Sequence, residues 1–339
     1  MTLPTRELGR NGPQITVLGA GTWAMGGGGW AASWGAQDDS SSIAALRHAA
    51  RVGVNWIDTA AAYGLGHAEE IVAKALSDLP GSERPLVFTK CGRVWSDADR
   101  LAPLTGDLRP SSIRRECEAS LHRLGVSQID LYQFHEPDGV TGTAVEDSWG
   151  EMSRLVEEGK VRFAGLSNYD TGQLELCERI MHVDSLQPPF SLITRDPAAD
   201  VIPWCAAHGT GVIVYSPLQA GLLTDGFSMA RAEAMEPGDW RRRAKEFQAP
   251  RLSRNLALRD SLKPVAVRHG VPVAAVALAW VLAWPGVSGA IVGSRSPAQV
   301  DGWIDAGGLN LTPEDRAEIA RAIESSGAGS GPISSDSDV

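Results

Sequence analysis

The fold of this chain is decided by NWIDTAAAY (residues 55–63), LVFTK (86–90) and DLYQFH (130–135). Each segment contains a short apolar run, typical of a buried strand, that leads to an ionisable side chain. In a parallel barrel the carboxyl ends of all strands share one face. We therefore expect four side chains that are distant in the chain to meet there: Asp58, Tyr63, Lys90 and His135.

Eight strand-like runs can be recognised along the chain, and most are followed by a helical pattern. They are 17–22, 55–58, 86–90, 130–135, 161–167, 185–190, 211–216 and 289–293. This alternation of strand and helix predicts parallel strands and favours an α/β fold, the (β/α)8 TIM barrel, over an open doubly wound sheet. The 339 residues fit one barrel of roughly 250 residues with insertions.

Three segments lie outside the alternation. Residues 6–12 contain an Asn-Gly turn, which predicts a small N-terminal hairpin. Residues 218–257 form a long connection after the seventh strand, where we expect a lid over the barrel mouth. The arginine run 241–243 within it is interpreted as a solvated helix face, with anion binding as the alternative. We expect a barrel domain over 1–324 and, because Gly and Ser dominate the last residues, a disordered tail over 325–339.

Composition excludes several classes of protein. The net charge of -10 argues against a general nucleic-acid binder, since phosphate neutralisation requires a basic surface. Arg6 and Glu7 stand where a secretory signal would be apolar, and no apolar run reaches about 18 residues, so we expect a cytoplasmic protein outside the membrane. The four cysteines lack CxxC or CxxH spacing, so no metal site is predicted. The motifs GxSxG, HExxH and GxxxxGK[ST] are absent as well.

The four side chains expected at the barrel mouth suit acid-base chemistry. A tyrosine has an ordinary pKa near 10, and a cation such as Lys90, held beside Asp58, is expected to lower it. Tyr63 then becomes a general acid, while His135 would hydrogen-bond the same substrate oxygen. Each residue also has an ordinary structural role open to it, as a cap, a snorkelling cation or a core histidine. Their coincidence at matching strand ends favours the catalytic interpretation.

A phosphate site is predicted after the eighth run. The segment Gly293-Ser294-Arg295-Ser296-Pro297 precedes a helix, whose N-terminal amides, together with two hydroxyls and one guanidinium, would bind a phosphate. The glycine-rich segment 19–24 is only superficially like a dinucleotide fingerprint, because its third glycine is missing and no helix is predicted to begin there.

Taken in order, these motifs resemble those of the aldo-keto reductase superfamily. The resemblance extends from the hairpin to about residue 323. It rests on 55–60 with Tyr63-Gly64, Thr89-Lys90, 130–135, 165–169, 215–218 and 293–295.

The resemblance implies a reductase of aldehydes or ketones that uses NADP(H) lying across the barrel mouth. Tyr63 would be the proton donor, Lys90 and Asp58 would tune its pKa, and His135 would orient the carbonyl. The cofactor-binding residues that it implies are Thr22, Trp23, Ser167, Asn168, Gln187, Tyr215, Ser216, Pro217, Leu218, Gly221, Gly293, Ser294, Arg295 and Gln299. Within this set, Ser167, Asn168 and Gln187 would hold the carboxamide and Tyr215 would stack on the nicotinamide.

This chain departs from the family pattern where adenine contacts are expected, at Gly302 and Trp303. It also has tryptophans in the loops that would line the substrate pocket, namely Trp23, Trp30, Trp34 and Trp95, which suggest an aromatic wall for flat or bulky carbonyl compounds.

Two alternatives remain open. One is a regulatory protein, since the β-subunits of voltage-gated potassium channels resemble the same superfamily. The other is an alcohol or sugar dehydrogenase working in the oxidative direction. A small-molecule carbonyl substrate and a monomer or small homo-oligomer are expected.

Overall fold

A computed structural model describes residues 3–335, in which eight parallel strands close into a barrel in chain order. The barrel strands are Leu18–Gly21, Trp56–Asp58, Leu86–Cys91, Ile129–Phe134, Val161–Ser167, Ser185–Gln187, Gly211–Val214 and Val287–Gly293. The α-helices are Asp39–Arg51, His67–Leu76, Pro110–Leu124, Val145–Glu157, Thr171–Glu178, Val201–His208, Met229–Glu233, Arg251–Ser261, Lys263–His269, Val273–Ala283, Pro297–Asp301 and Pro313–Ser326. The predicted (β/α)8 TIM barrel is confirmed, although the sixth and seventh strands end earlier than their apolar runs.

The predicted N-terminal hairpin, with strands Thr5–Glu7 and Gln14–Thr16, closes the amino end of the barrel. Its Leu8 and Ile15 are buried in the barrel interior against Trp56, whose indole nitrogen donates to the Thr16 carbonyl at 2.7 Å. A Cβ atom on Gly19 would lie 2.2 Å from the Trp56 ring. Gly19 is therefore required for packing in the first strand. This agrees with the prediction that segment 19–24 is not a dinucleotide-binding motif.

A second, larger core lies between the barrel and its helices. Val273–Ala283 is the clearest example, because ten of its residues are buried and it is apolar on every side. Within residues 3–335, no single helix has the length and apolar character needed to cross a membrane; only the bent pair Arg251–His269 and Val273–Ala283, joined at 93°, meets that test jointly.

The long connection after the seventh strand is shorter than predicted, because the helix Arg251–Ser261 begins inside it. Before that helix the chain forms only short helical turns and the five-residue helix Met229–Glu233. The segment 218–250 is called the roof segment below.

The prediction of a disordered tail is wrong for residues 325–335. The last helix extends to Ser326, Ala328 is buried, and Ser330 pairs with Thr194. The buried Arg195 side chain donates to the carbonyls of Ala328 and Pro332, at 3.3 and 3.1 Å. The tail glycines permit this close packing, since a Cβ on Gly329 would lie 1.9 Å from the Ile193 carbonyl. Residues 336–339 lie outside the described part of the chain.

Candidate active site

Asp58 and Lys90 form a buried ion pair at the carboxyl face of the barrel. Asp58 ends the second strand and Lys90 lies near the end of the third, and they are only 2% and 1% exposed. The Lys90 Nζ donates to Asp58 Oδ1 at 2.6 Å and to the Thr59 carbonyl at 2.9 Å. The other carboxylate oxygen of Asp58 accepts from Gln187 Nε2 at 2.9 Å.

Tyr63 places its phenol against this pair. Its oxygen accepts a long hydrogen bond of 3.4 Å from Lys90 Nζ. Its ring packs edge-on against His135, with centroids 5.6 Å apart, and stacks on Trp23 at 6.2 Å. The following residue, Gly64, has a φ of +64°, and a Cβ there would lie 2.2 Å from the Gly26 carbonyl. The turn that carries Tyr63 therefore depends on glycine at this position.

The electrostatics keep Tyr63 protonated. Burial and the Asp58 carboxylate raise its pKa well above 10.0, and Arg93 opposes them weakly. The expected net lowering of this pKa is therefore wrong, because desolvation of the phenolate and the charge of Asp58 outweigh the effect of Arg93. Burial also lowers the pKa of Lys90, against the effect of Asp58.

His135 follows the fourth strand, where its amide donates to the Cys91 carbonyl at 2.9 Å. Burial, Lys90 and Arg93 all lower its pKa well below 6.5. A neutral imidazole has one N–H donor and one acceptor. His135 and Tyr63 can therefore both donate hydrogen bonds to an oxygen placed between them.

A pocket of about 150 Å³ opens above these two side chains. It is lined by Trp23, Trp30, Ala32, Ala62, Tyr63, Arg93, Leu104, His135, Ser167, Asn168, Gln187 and Tyr215. We call this the substrate pocket. Of the four tryptophans expected in an aromatic wall, Trp23 and Trp30 line it, Trp34 lines the neighbouring cleft, and Trp95 lines neither.

The residues expected to hold a carboxamide are connected to one another in the substrate pocket. The Tyr215 hydroxyl donates to Asn168 Oδ1 at 2.9 Å, and Asn168 Nδ2 donates to the His135 carbonyl at 3.0 Å. Ser167 Oγ donates to the Gln187 carbonyl at 2.9 Å. Asn168 has a φ of +63°, an uncommon conformation that is often found at functional sites.

A cleft of about 510 Å³ extends from Tyr63 to the residues that follow the eighth strand, and it is called the cofactor cleft below. Its lining includes ten of the predicted cofactor-binding residues: Thr22, Trp23, Tyr215, Ser216, Pro217, Leu218, Gly221, Gly293, Arg295 and Gln299. Ser294 does not line it, because its buried hydroxyl accepts from Trp303 Nε1 at 2.8 Å. Gly302 and Trp303 form part of the wall, at the place where adenine contacts are expected.

Three arginines make the cofactor cleft suitable for phosphates: Arg231, Arg241 and Arg295. Arg295 is held in place by Gln37 Oε1, at 2.5 Å from its Nε, and by the Ala36 carbonyl. Arg241 has a side chain only 12% exposed and pairs with Asp239, so interpreting it as part of a solvated face is wrong.

The predicted helix N-terminus contributes less than expected to this site. Pro297–Asp301 has only five residues and starts with a proline, which has no amide hydrogen. The Arg295 amide already donates to Gln299 Oε1 at 2.7 Å. The side chains of the three arginines, rather than backbone amides, therefore provide most of the positive charge. A long cleft with these cations fits an extended dinucleotide.

Sequence reasoning missed the contacts that cover the cofactor cleft. Trp240 of the roof segment stacks on Trp23 with centroids 4.9 Å apart, and the Arg241 guanidinium lies 4.7 Å over the Trp34 ring. It also missed Arg93 and Gln37. Trp240 and Arg241 lie in the roof segment, Arg93 lies after the third strand and Gln37 lies before the first helix. They share no motif, so no sequence signal pointed to them.

Comparisons with known proteins identify the family. A sequence model of the Aldo/keto reductase family matches residues 17–324. The aldo-keto reductase YhdN of Bacillus subtilis is 32% identical over 92% of this chain and 91% of its own length. The NADH-specific methylglyoxal reductase of Escherichia coli is 33% identical over 94% of this chain and 98% of its own.

Solved structures give the same result for the fold. The glycerol dehydrogenase AKR11B4 from Gluconobacter oxydans superposes with a TM-score of 0.86 at 33% identity, covering 98% of each chain. The holo form of the aldo-keto reductase AKR11C1 from Bacillus halodurans gives 0.77 at 24% identity, over 94% of this chain and 96% of that one, and supports the fold alone. With the barrel, the buried ion pair and the motifs in place, this chain belongs to the aldo/keto reductase family.

Proposed function

We propose that this protein reduces aldehydes or ketones to alcohols with NADPH, and that Tyr63 delivers the proton. One observation carries the proposal: Tyr63 lines both the substrate pocket and the cofactor cleft, directly over the buried Asp58–Lys90 pair. A carbonyl carbon in the pocket would face a nicotinamide in the cleft, while its oxygen faces the phenol. Family membership supports carbonyl oxidoreduction with a nicotinamide cofactor.

The cofactor would supply the hydride. Tyr63, protonated because burial raises its pKa, donates its proton to the carbonyl oxygen as that oxygen gains charge. The phenolate left behind is stabilised by the Lys90 ammonium at 3.4 Å. Asp58 balances the buried charge of Lys90. Neutral His135 donates a second hydrogen bond and thereby orients the substrate.

The choice of NADPH rests on the arginines of the cofactor cleft. Arg295 is fixed by Gln37 and lies within electrostatic range of Arg241 and Arg231. Asp239 offsets much of the charge of Arg241, so the positive charge that favours a cofactor with an additional phosphate comes mainly from Arg295 and Arg231. The Escherichia coli relative bears the name NADH-specific, so both cofactors belong in the experiment.

A second candidate is the oxidation of polyols. It is favoured by the structural similarity to the glycerol dehydrogenase of Gluconobacter oxydans, and the same four side chains serve both directions. In that direction Tyr63 would have to be a phenolate to accept the proton of the alcohol, and its raised pKa makes that form costly.

The deciding experiment follows the absorbance of reduced nicotinamide. The purified protein is given NADPH or NADH with a panel of aldehydes, ketones, methylglyoxal, sugars and pyridoxal, and then glycerol and other polyols with the oxidised cofactors. Turnover of a carbonyl compound, faster with NADPH and lost in Tyr63→Phe, is the expected result. Tight cofactor binding without turnover of any compound in either direction would refute the proposed enzyme.

A further inference from the structure

Arg93 is a charged wall of the substrate pocket that the proposed chemistry does not use. It begins the short hairpin Arg93–Val94 and Thr105–Gly106, which follows the third barrel strand. The hairpin is anchored at its base, where the Gly92 amide donates to the buried Glu116 carboxylate at 3.0 Å. Backbone pairing therefore holds Arg93 beside Tyr63 and His135, with which it lines the pocket.

The guanidinium of Arg93 does not use all of its hydrogen-bond donors. Its Nη2 donates to Glu136 Oε2 at 2.5 Å. Its Nε is buried and has no hydrogen-bond partner among residues 3–335. Its Nη1 donates no hydrogen bond to that part of the chain either. A buried donor without a partner is costly. An arginine with unused donors at a pocket wall is suited to a carboxylate, which accepts charge-assisted hydrogen bonds.

The charge of Arg93 reaches the inside of the pocket, as that of Lys90 does. Lys90 is fully buried in its pair with Asp58, with the charges 2.6 Å apart, whereas Arg93 lines the pocket and has a side chain 36% exposed. Arg93 lowers the pKa of His135 and opposes the rise in the pKa of Tyr63, so its field reaches both groups. The walls between are apolar, formed by Trp23, Trp30 and Leu104. The pocket thus joins a carbonyl site, an apolar middle and one cation.

We infer that Arg93 selects carbonyl substrates that carry a carboxylate, an inference that rests on the proposed function. The carbonyl oxygen of such a substrate would lie between Tyr63 and His135 while its carboxylate accepts from Nη1 of Arg93, the donor that is neither buried nor bound to Glu136. Glu136 orients the guanidinium and competes for it.

The test compares matched substrates in the whole protein with its preferred cofactor. The 3- and 4-carboxybenzaldehydes are each measured against their neutral methyl esters, and the ratio of kcat/KM for acid over ester is the readout. The parent protein should prefer the acid of at least one isomer. In Arg93→Gln this ratio should fall about tenfold or more, as expected for a charge-assisted hydrogen bond. Arg93→Lys keeps the charge but loses the planar guanidinium, so its acid-to-ester ratio should lie between those of the parent and Arg93→Gln.

Arg100→Gln is the matched control, because it removes the same charge from an exposed position on the same loop, outside the pocket. Its ratio should equal that of the parent, which separates a direct contact from general attraction of anions. Glu136→Gln should raise the ratio by releasing Arg93. The inference is overturned if the parent reduces esters as well as acids, or if Arg93→Gln lowers both equally. Failure to reduce any of these aldehydes, esters included, would instead count against the proposed function and the role of Arg93 with it.

Discussion

Replacing Tyr63 by phenylalanine should slow the reaction strongly while changing the free energy of unfolding little. The lost hydroxyl accepts one long hydrogen bond of 3.4 Å. Lys90 keeps its shorter bonds to Asp58 and Thr59, at 2.6 and 2.9 Å. The ring remains packed between Trp23 and His135. We therefore expect Tyr63→Phe to change the free energy of unfolding by less than about 1 kcal/mol.

The effect on the reaction should be several times larger. General acid catalysis typically contributes 10² to 10⁴-fold in rate, which corresponds to roughly 2.7–5.5 kcal/mol of barrier. Cofactor affinity should change little, because the phenol oxygen is bonded to Lys90 and to none of the three arginines that line the cofactor cleft.

The assay is single-turnover oxidation of bound NADPH by a saturating aldehyde, accompanied by denaturant unfolding and a cofactor titration. Tyr132→Phe provides the matched control, since Tyr132 is fully buried in the fourth strand and lines neither cavity. It should turn over like the parent. A rate for folded Tyr63→Phe within threefold of the parent would show that another group delivers the proton, and the assignment of Tyr63 would fail.

Three further results are expected. The parent should bind NADPH about tenfold or more tightly than NADH by fluorescence quenching, and Arg295→Ala should remove that preference; equal affinities in the parent would contradict the phosphate site. Limited proteolysis should cut the roof segment in the free protein, and NADPH should suppress cutting by ordering the segment over the cofactor cleft; identical digests would argue against a lid. His135 has a folded-state pKa below its ordinary 6.5, so below that pH the unfolded chain binds a proton that the folded protein does not, and stability falls. Chemical denaturation should show this loss, at most about 1.4 kcal/mol per pH unit, and His135→Asn should lack it; parallel curves for the two proteins would refute the buried neutral imidazole.

Much of the proposed catalytic centre follows from local patterns. Asp58, Lys90 and His135 occur at the ends of apolar runs, and parallel strands in a barrel bring such ends to one face whatever their distance in the chain. The N-terminal hairpin was predicted from its Asn-Gly pair, because a turn is specified by adjacent residues.

Features that depend on burial or on distant loops were not predictable in this way. The sign of the pKa shift of Tyr63 depends on how completely the phenol is desolvated, which only the packed barrel decides. The tail residues were predicted to be disordered from their glycines, whereas those glycines let the backbone approach Arg195 closely.

Short-range periodicity and the ends of strands were enough to predict the barrel, its order of strands and the residues of the proposed acid-base centre. Tertiary structure alone decided how the two cavities are completed. Trp240 of the roof segment stacks on Trp23, and Arg93 lines the substrate pocket while bound to Glu136. The physical reason is that loop conformations depend on what the loops pack against, and their partners lie far away in the chain.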